Sequence, residues 1–369
     1  MERNKVVKSK SDVSPNVFDD SMMYAVDLLD NLEDNINDGE HPIDEDINEG
    51  LVIFKLQDVH DLIVNQGRGS NLKPRLEAML KEGNWRRLAK VTDNRLNALD
   101  NLRIKFPNFE AVIDRYQKSL LLASLSEPMS IYVPPILLVG EPGIGKTRFL
   151  KDLSETLDVG FFHADLATTT AGFVLAGSSS TWAEGKPGLV SDSLRKSDVA
   201  NPIIFLDEID KASGDSKYDP LGCLYSLLER ETAKTFQDEA LQVEMNCSGI
   251  NWVASANYID NVPKPIQSRF IIYDIQIPSR EQMTLVSKSV YRDLLSENSW
   301  GTLFEGELTD DVVLRLVELS PREQKRILYG ACCEVAFRNK NSKVSTFSLL
   351  AKDIILESLQ MKVRTIGFY

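Results

Sequence analysis

Short apolar runs alternate with helical patterns in the middle of the chain. Runs of this kind, bounded by polar and turn-forming residues, are typical of buried strands in a parallel sheet that has helices on both faces. The predicted strands cover residues 136–139, 160–164, 203–206, 250–256 and 270–275. The pattern therefore predicts an α/β core over residues 128–277.

Helical patterns flank this predicted core on both sides. Residues 51–127 repeat apolar side chains at helical intervals, which predicts a helical N-terminal domain. After Pro278 the strand patterns end, and residues 278–369 are predicted to form a helical lid. Its predicted helices begin at Ser279, Thr309 and Ser320, where capping residues precede helical patterns, and a fourth is predicted over residues 346–360.

The N-terminal residues 1–50 are polar and acidic, which predicts a largely disordered tail. Residues 19–61 hold fourteen Asp or Glu and one Lys, so the net charge of −13 lies in this part of the chain. The remainder is neutral, and a nucleic-acid partner is neither indicated nor excluded. Apolar residues within 21–36 approach helical spacing, which fits either an amphipathic helix that docks on a partner or a solvated tail.

Composition excludes several classes of protein. The apolar share of 43% is ordinary for a soluble globular protein. Four cysteines without C-x-x-C spacing and three histidines argue against a zinc site or a histidine-based triad. No apolar segment long enough for export or for spanning a membrane is present in the sequence, so the expected location is cytoplasmic, with no membrane partner.

A phosphate-binding motif follows the first predicted strand of the core. Its eight residues fit G-x-x-x-x-G-K-[ST], and we predict that they bind ATP; they are Gly140, Glu141, Pro142, Gly143, Ile144, Gly145, Lys146 and Thr147. Glycines allow the tight turn that directs backbone N–H groups at the phosphates, and the following helix presents its positive end. Lys146 would neutralise phosphate charge, and the Thr147 hydroxyl would hold Mg²⁺.

Two carboxylates end the third predicted strand. Asp207 and Glu208 directly follow the apolar run 203–206, about sixty residues after the phosphate-binding motif. Such a pair is also common as a solvated loop start, but together with the motif it predicts a nucleotide-hydrolysing site. Asp207 would anchor Mg²⁺, and Glu208 would orient and partly deprotonate the attacking water.

These motifs and the helical lid together resemble AAA+ ATPases. The sequence further resembles the ATPase module of Lon proteases, in LDEIDK at residues 206–211, ASAN at 254–257 and VPKPIQSR at 262–269. The resemblance extends from about Phe106 to the end of the chain. It implies an AAA+ P-loop core with a C-terminal helical lid, and a homo-oligomeric ring, expected to be a hexamer.

The resemblance also implies roles for three polar residues. Asn257 would be the sensor-1 residue that helps to hold the attacking water, although an asparagine that ends a strand is also common in turns. Arg269 would be the arginine finger that reaches into the neighbouring subunit's site, the alternative being an ordinary arginine before a strand. Arg322 would be the sensor-2 residue that couples the lid to the nucleotide.

Trp182 matches the aromatic residue with which pore loops of Lon-like motors grip a polypeptide. The aliphatic-glycine pair expected after it is replaced by Ala183-Glu184, which leaves threading open, and Trp182 could instead pack beneath its own loop. Lon proteases continue into a serine-lysine peptidase domain, whereas this sequence ends after the lid. We therefore expect no intrinsic proteolysis.

The function expected from the sequence is that of a ring-forming, ATP-hydrolysing protein remodeller of the Lon-like type. Its client would be a protein or a separate effector chain. The alternative is a nucleic-acid-associated AAA+ switch or motor in a defence or mobile-element system. Glu184 in the candidate pore loop and the acidic tail argue against DNA, whereas Lys186 and the neutral body leave it possible.

Overall fold

The computed structural model describes residues 49–65, 72–167, 171–178, 185–212, 221–340 and 346–356. The predicted acidic tail lies outside the described residues, apart from residues 49 and 50. The docking helix predicted within residues 21–36 also lies outside them. The same holds for the loop residue Trp182. These remain predictions.

The N-terminal segment is mainly helical where it is described. Its helices are α1 (Leu56–Asn65), α2 (Lys73–Glu82), α3 (Asp93–Lys105) and α4 (Glu110–Ala123). It also contains a short antiparallel pair, β1 (Gly50–Val52) and β2 (Trp85–Arg87), which the helical prediction did not include. Strands of three residues are too short for their periodicity to separate them from loops.

The core is a parallel sheet of five strands, which confirms the predicted α/β class. The remaining strands of the described chain are β3 (Ile136–Val139), β4 (Phe161–Asp165), β5 (Ile203–Asp207), β6 (Phe236–Gln237), β7 (Glu244–Met245), β8 (Asn251–Ala256) and β9 (Ile271–Asp274). The sheet order is β4-β5-β8-β3-β9, and β6 and β7 form a separate antiparallel pair. All five predicted strands are confirmed within a few residues.

Helices of the core connect these strands. They are α5 (Lys146–Leu157), α6 (Ala171–Ala176), α7 (Leu189–Lys196), α8 (Leu224–Leu227) and α9 (Lys264–Gln267). Because the central strands are covered on both faces, they consist almost entirely of apolar residues. Their carboxyl ends, where Gly140 and Asp207 lie, meet at one edge of the sheet.

Alternate residues of the central strands enter two different hydrophobic clusters, one on each face of the sheet. Ile204 and Leu206 lie in the first cluster, together with Met79 of α2. Phe205 lies in the second, together with Tyr116 of α4. Side chains that precede residue 128 therefore complete the core on both faces of the sheet.

Two buried asparagines fix the connection between α4 and β3 to the sheet. The Asn201 side chain accepts a hydrogen bond from Ala89 N at 2.8 Å and donates to Ile131 O at 2.9 Å. Asn251 accepts from Val133 N at 2.8 Å. The two side chains satisfy backbone groups that have no water to bind, which buried backbone requires.

The C-terminal part is helical, with a hydrophobic cluster of its own. Its helices are α10 (Arg280–Ser296), α11 (Asp310–Leu316) and α12 (Pro321–Arg338). The helix starts predicted at Ser279 and Ser320 are confirmed, and each serine forms a capping box with both reciprocal hydrogen bonds present. Thr309 precedes α11 as predicted, but its side chain makes no capping hydrogen bond.

The predicted fourth helix at 346–360 is wrong over its described part. Residues 346–356 contain only a 3₁₀ turn, Ala351–Asp353. Phe347 donates a backbone hydrogen bond to Leu303 O at 2.7 Å and accepts one from Glu305 N at 2.8 Å, so the backbone is extended here. Pairing with a segment about forty residues earlier thus overrides the local helical pattern.

No helix of the described chain is both long and apolar enough to cross a bilayer.

Candidate active site

The phosphate-binding loop leads from β3 into α5. Two of its residues have backbone conformations that only glycine adopts readily. Gly143 has φ +86° and Gly145 has φ +102°, and Gly145 directly precedes the first turn of α5. Ile144 between them is buried in the second hydrophobic cluster. The loop is thus anchored by one apolar side chain while its backbone faces the cavity described below.

Lys146 is held at the start of α5 with 8% of its surface exposed. Its Nζ donates to Gly140 O at 2.6 Å and Glu141 O at 3.2 Å, and lies 3.3 Å from Asn257 Oδ1. Burial lowers the pKa of the Lys146 ammonium, although the surrounding carboxylates act to raise it. The structure therefore brings Lys146 and Asn257 together as the sequence predicts.

Asp207 lies at the end of β5 and faces Thr147. The two side-chain oxygens, Thr147 Oγ1 and Asp207 Oδ2, are 3.4 Å apart. Ser255 on the neighbouring strand β8 donates a short hydrogen bond to Asp207, and His163 Nε2 lies 3.4 Å from Asp207 Oδ2. Burial acts to raise the pKa of the Asp207 carboxyl, but the hydrogen bonds from His163 and Ser255 outweigh it and keep this pKa below its ordinary value.

This pair of oxygens fits Mg²⁺. A hydroxyl and a charged carboxylate are the hard oxygen ligands that Mg²⁺ prefers, and it usually takes only one or two from the protein beside those of a bound phosphate. Thr147 and Asp207 would hold the ion between the loop and β5, where its charge could polarise a phosphate oxygen.

Glu208 follows Asp207 in a left-handed backbone conformation, with φ +57°. Such a conformation is unfavourable for a residue with a side chain and is characteristic of functional sites. The Glu208 N–H donates to Ser255 Oγ at 3.1 Å, and the carboxylate pairs with Lys211 Nζ at 2.6 Å. These contacts direct the carboxylate of Glu208 to the same cavity that Asp207 lines.

Asp210 connects this turn to the end of β8. Its Oδ2 accepts hydrogen bonds from the backbone N–H groups of Asn257 at 3.2 Å and Tyr258 at 3.0 Å. The ends of β5 and β8 are therefore fixed to each other beyond the last ladder bond. This contact sets the position of the Asn257 side chain beside Lys146.

A cavity of about 310 Å³ lies between the phosphate-binding loop and the C-terminal helices. Lys146, Thr147, Asp207, Glu208 and Asn257 line it from the core. The C-terminal side contributes Val290, Asp293, Glu297, Pro321, Arg322 and Lys325. A Cβ atom added to Gly143 would lie 3.7 Å from the Cβ of Arg322, so the predicted sensor-2 residue directly adjoins the loop.

Arg269 lies away from this cavity and does not line it. It follows α9, where its Nη1 donates to Pro265 O at 2.7 Å. Its guanidinium centre is 5.3 Å from the centre of the Tyr225 ring, and its Nε is 3.5 Å from Glu229 Oε1. Of the four predicted catalytic residues, all of which are described, Glu208, Asn257 and Arg322 line the cavity of their own chain and Arg269 does not.

Several residues at the site carried no prediction from the sequence. Ser255 is a buried hydroxyl near the carboxyl end of β8, and that polar position was a usable signal. His163 stacks on Phe205 with ring centres 5.1 Å apart and reaches Asp207 only through the pairing of β4 with β5. The lid residues Glu297 and Lys325 carry no local signal, since their approach to the loop depends on the whole fold.

Comparison with known proteins agrees with this geometry. Residues 136–277 match the model of the ATPase family associated with various cellular activities (AAA). The chain is 29% identical over 233 residues to a Lon protease of Metamycoplasma arthritidis, which covers 62% of this chain and 28% of the relative. It is 31% identical over 204 residues to a Lon protease of Mycoplasma mobile, covering 54% and 24%.

A third relative is a Lon protease of Wolbachia pipientis, which is 30% identical over 203 residues, covering 55% of this chain and 25% of the relative. The chain thus spans about a quarter of the length of these curated relatives. Residues 136–277, which the family model matches, include the phosphate-binding loop, the acidic pair Asp207-Glu208 and Asn257. Residues 136–277 therefore form an AAA ATPase domain, and over about half of its length the chain is related to the ATPase region of Lon proteases.

Proposed function

We propose that this chain hydrolyses ATP in a hexameric ring and uses the energy to remodel a protein client or a separate effector chain. The observation that carries the proposal is where the predicted site residues lie relative to the cavity. Lys146, Asp207, Glu208 and Asn257 share one cavity, whereas Arg269 lies outside it. A site that lacks its arginine in one chain is completed by a second chain in a ring.

Each of these residues has a separate role in the proposed reaction. Bound Mg·ATP supplies the phosphoanhydride bond and a Lewis acid; Lys146 neutralises phosphate charge, and Thr147 and Asp207 hold the metal. Glu208 orients the attacking water and accepts its proton, while Asn257 holds that water from β8. Arg322 contacts the phosphates from the lid, so that nucleotide state changes the lid position.

Arg269 acts on the neighbouring subunit in this proposal. Its contacts with Pro265, Tyr225 and Glu229 hold the guanidinium at the surface of its own subunit, with a quarter of the side chain exposed. An arginine supplied in this way stabilises charge on the transferring phosphoryl group and is worth about 10³ to 10⁵ in turnover. Hydrolysis then depends on assembly.

The output that we propose is mechanical work on a protein client, without proteolysis by this chain. The similarity lies in the ATPase region of the relatives, and the described residues of the site are of the types that bind a nucleoside triphosphate and cleave its phosphoanhydride bond. Residues in the loop around Trp182 would contact the client.

The Glu208→Gln variant tests the ATPase assignment. It keeps the shape of the side chain but removes the base, so ATP binding should persist while kcat falls by about 10² to 10⁴. Phosphate release and calorimetric ATP binding measure the two effects separately. Turnover at the wild-type rate would remove Glu208 from the reaction.

The kind of client is tested by stimulation of the ATPase. We expect an unfolded protein to raise kcat, and single- or double-stranded DNA to leave it unchanged at physiological salt. Measuring at several salt concentrations controls for non-specific electrostatic binding of DNA, which weakens steeply as salt rises. Stimulation by DNA alone would replace the remodeller with the nucleic-acid-associated alternative.

A further inference from the structure

A second cation of the lid lines the nucleotide cavity. Lys325 lies three residues after Arg322 on α12, so both side chains project from the same face of that helix. Both line the cavity, together with Pro321 at the start of the helix. The lid therefore presents two positive charges, and the roles proposed above use only Arg322.

Lys325 is neutralised by one carboxylate. Its Nζ lies 2.5 Å from Glu297 Oε2, at the C-terminal end of α10. The other oxygen of the same carboxylate, Glu297 Oε1, lies 2.7 Å from Nη1 of Arg148, which follows the phosphate-binding motif. Partial burial acts to raise the pKa of Glu297, but its pairing with Lys325 and Arg148 keeps that pKa below the ordinary value. Glu297 is thus a charged bridge between the two cations.

The two cations differ in how firmly they are held. Arg148 also pairs with Asp152 at 2.8 Å and Asp293 at 3.2 Å, and both of these carboxylates bind Lys105 of α3. Arg148 therefore belongs to a closed network of charges. For Lys325, Glu297 is the only ion-pair partner within the described part of the chain.

The bridge between Lys325 and Glu297 is easily exchanged. Their side chains are 48% and 35% exposed, and an ion pair this exposed contributes little to stability. A lysine hydrogen bond to a phosphate oxygen is charge-assisted in the same way, but a triphosphate carries several negative charges whereas Glu297 carries one. A triphosphate that enters the cavity would therefore compete well with Glu297 for the ammonium group.

We propose that Lys325 is a nucleotide-binding residue of the lid, and that Glu297 masks it until the phosphates of a nucleotide arrive. Glu297 is then a positioning residue, which holds Lys325 and Arg148 on the two sides of the cavity. The inference rests on the proposed function, because it requires that ATP binds here. It adds a second contact through which the lid senses the triphosphate.

Calorimetric titration of the full chain tests the proposal, with Mg²⁺ and either a non-hydrolysable ATP analogue or adenosine. Lys325→Ala should weaken binding of the analogue by about tenfold or more, as the loss of a charged hydrogen bond requires, and leave adenosine unchanged. Lys325→Arg should restore most of the affinity. Glu297→Gln should tighten binding of the analogue, because it removes the competing carboxylate.

If Glu297 served only as a structural bridge, Glu297→Gln would weaken binding of the analogue instead of tightening it. If Glu297→Gln weakens binding of the analogue, or if Lys325→Ala weakens the analogue and adenosine equally, the proposal is wrong. Arg292→Ala is the matched control, since it breaks a lid ion pair with Glu307 at 2.7 Å outside the cavity, and it should change neither affinity. Thermal unfolding of each variant identifies any loss of folding.

The same titration separates the two proposals. Wild-type protein that binds no ATP analogue would refute the proposed function itself. Wild-type protein that binds the analogue, with Lys325→Ala binding it equally well, would refute only the role of Lys325.

Discussion

At the scale of single residues, one serine contacts both members of the acidic pair that ends β5. Ser255 donates to the Asp207 carboxylate and accepts from the Glu208 N–H, although it belongs to a different strand. It therefore helps to fix both the Asp207 carboxylate and the left-handed turn at Glu208.

We predict that Ser255→Ala lowers kcat by about tenfold while ATP binding changes little. A hydrogen bond to a charged group is worth about 1.5 to 3 kcal/mol, and 1.4 kcal/mol corresponds to a factor of ten. The binding loop and Lys146 remain intact, so affinity should persist. Steady-state ATPase assays and calorimetry provide the measurement.

Ser287→Ala is the control for this prediction. Ser287 is equally buried, but its hydroxyl donates at 2.8 Å to Met283 O within α10, away from the cavity. Its removal should leave kcat intact. An equal loss of kcat in both variants would show that removal of any buried hydroxyl is harmful, and Ser255 would lose its special role.

At the scale of elements, capping serines determine where two helices of the lid begin. The serines at 279 and 320 each accept a hydrogen bond from the backbone N–H three residues later, which satisfies a donor that the helix itself leaves free. The cap of α12 also lies beside the phosphate-binding loop, since a Cβ on Gly143 would be 3.9 Å from Ser320 Oγ. Correct capping there places Arg322 at the cavity.

We predict that Ser279→Ala destabilises the protein by about 1 kcal/mol, and that Thr309→Ala costs only a few tenths of that. Both residues precede a helix, but only Ser279 makes the capping hydrogen bond. Midpoints of urea unfolding, followed by circular dichroism, measure the difference. Equal destabilisation by the two variants would contradict the hydrogen-bond pattern of the structure.

At the scale of the whole molecule, the fold leaves Arg269 outside the cavity of its own chain. Arg269 is held by Tyr225 and Glu229, outside the cavity that Lys146 and Glu208 line. If the proposed role is right, isolated chains are incomplete enzymes. Activity then becomes a property of the assembly.

We predict that mixing Arg269→Ala subunits with Lys146→Ala subunits restores part of the ATPase activity that each variant lacks alone. In a mixed ring, the intact cavity of one subunit meets the intact arginine of its neighbour. Rescue should grow with protein concentration, because it requires association. Phosphate release in the mixture, compared with each variant alone, measures it.

The control mixture combines Lys146→Ala with Glu208→Gln. Both changes damage the cavity of their own chain, so no interface in such a ring has a complete site and no rescue is expected. Absence of rescue in the first mixture, or rescue in both, would mean that Arg269 does not act between subunits.

Much of this molecule could be predicted from local sequence. The five strands follow from short apolar runs, of which the three central ones are buried on both faces, and the loop and the acidic pair follow from motifs of adjacent residues. The capping boxes are equally local, since each spans four residues. In these cases the residues that create the signal are the same residues that form the structure.

Tertiary structure decided what depends on distant partners. The backbone around Phe347 is extended because it pairs beside Phe304, whereas the pattern of residues 346–360 alone favours a helix. Lys325 and Glu297 reach the nucleotide cavity because the lid packs over the loop, and Arg269 lies outside that cavity for the same kind of reason. Periodicity and motifs record short-range preferences, whereas the distribution of charges around the cavity depends on the packing of elements far apart in the chain.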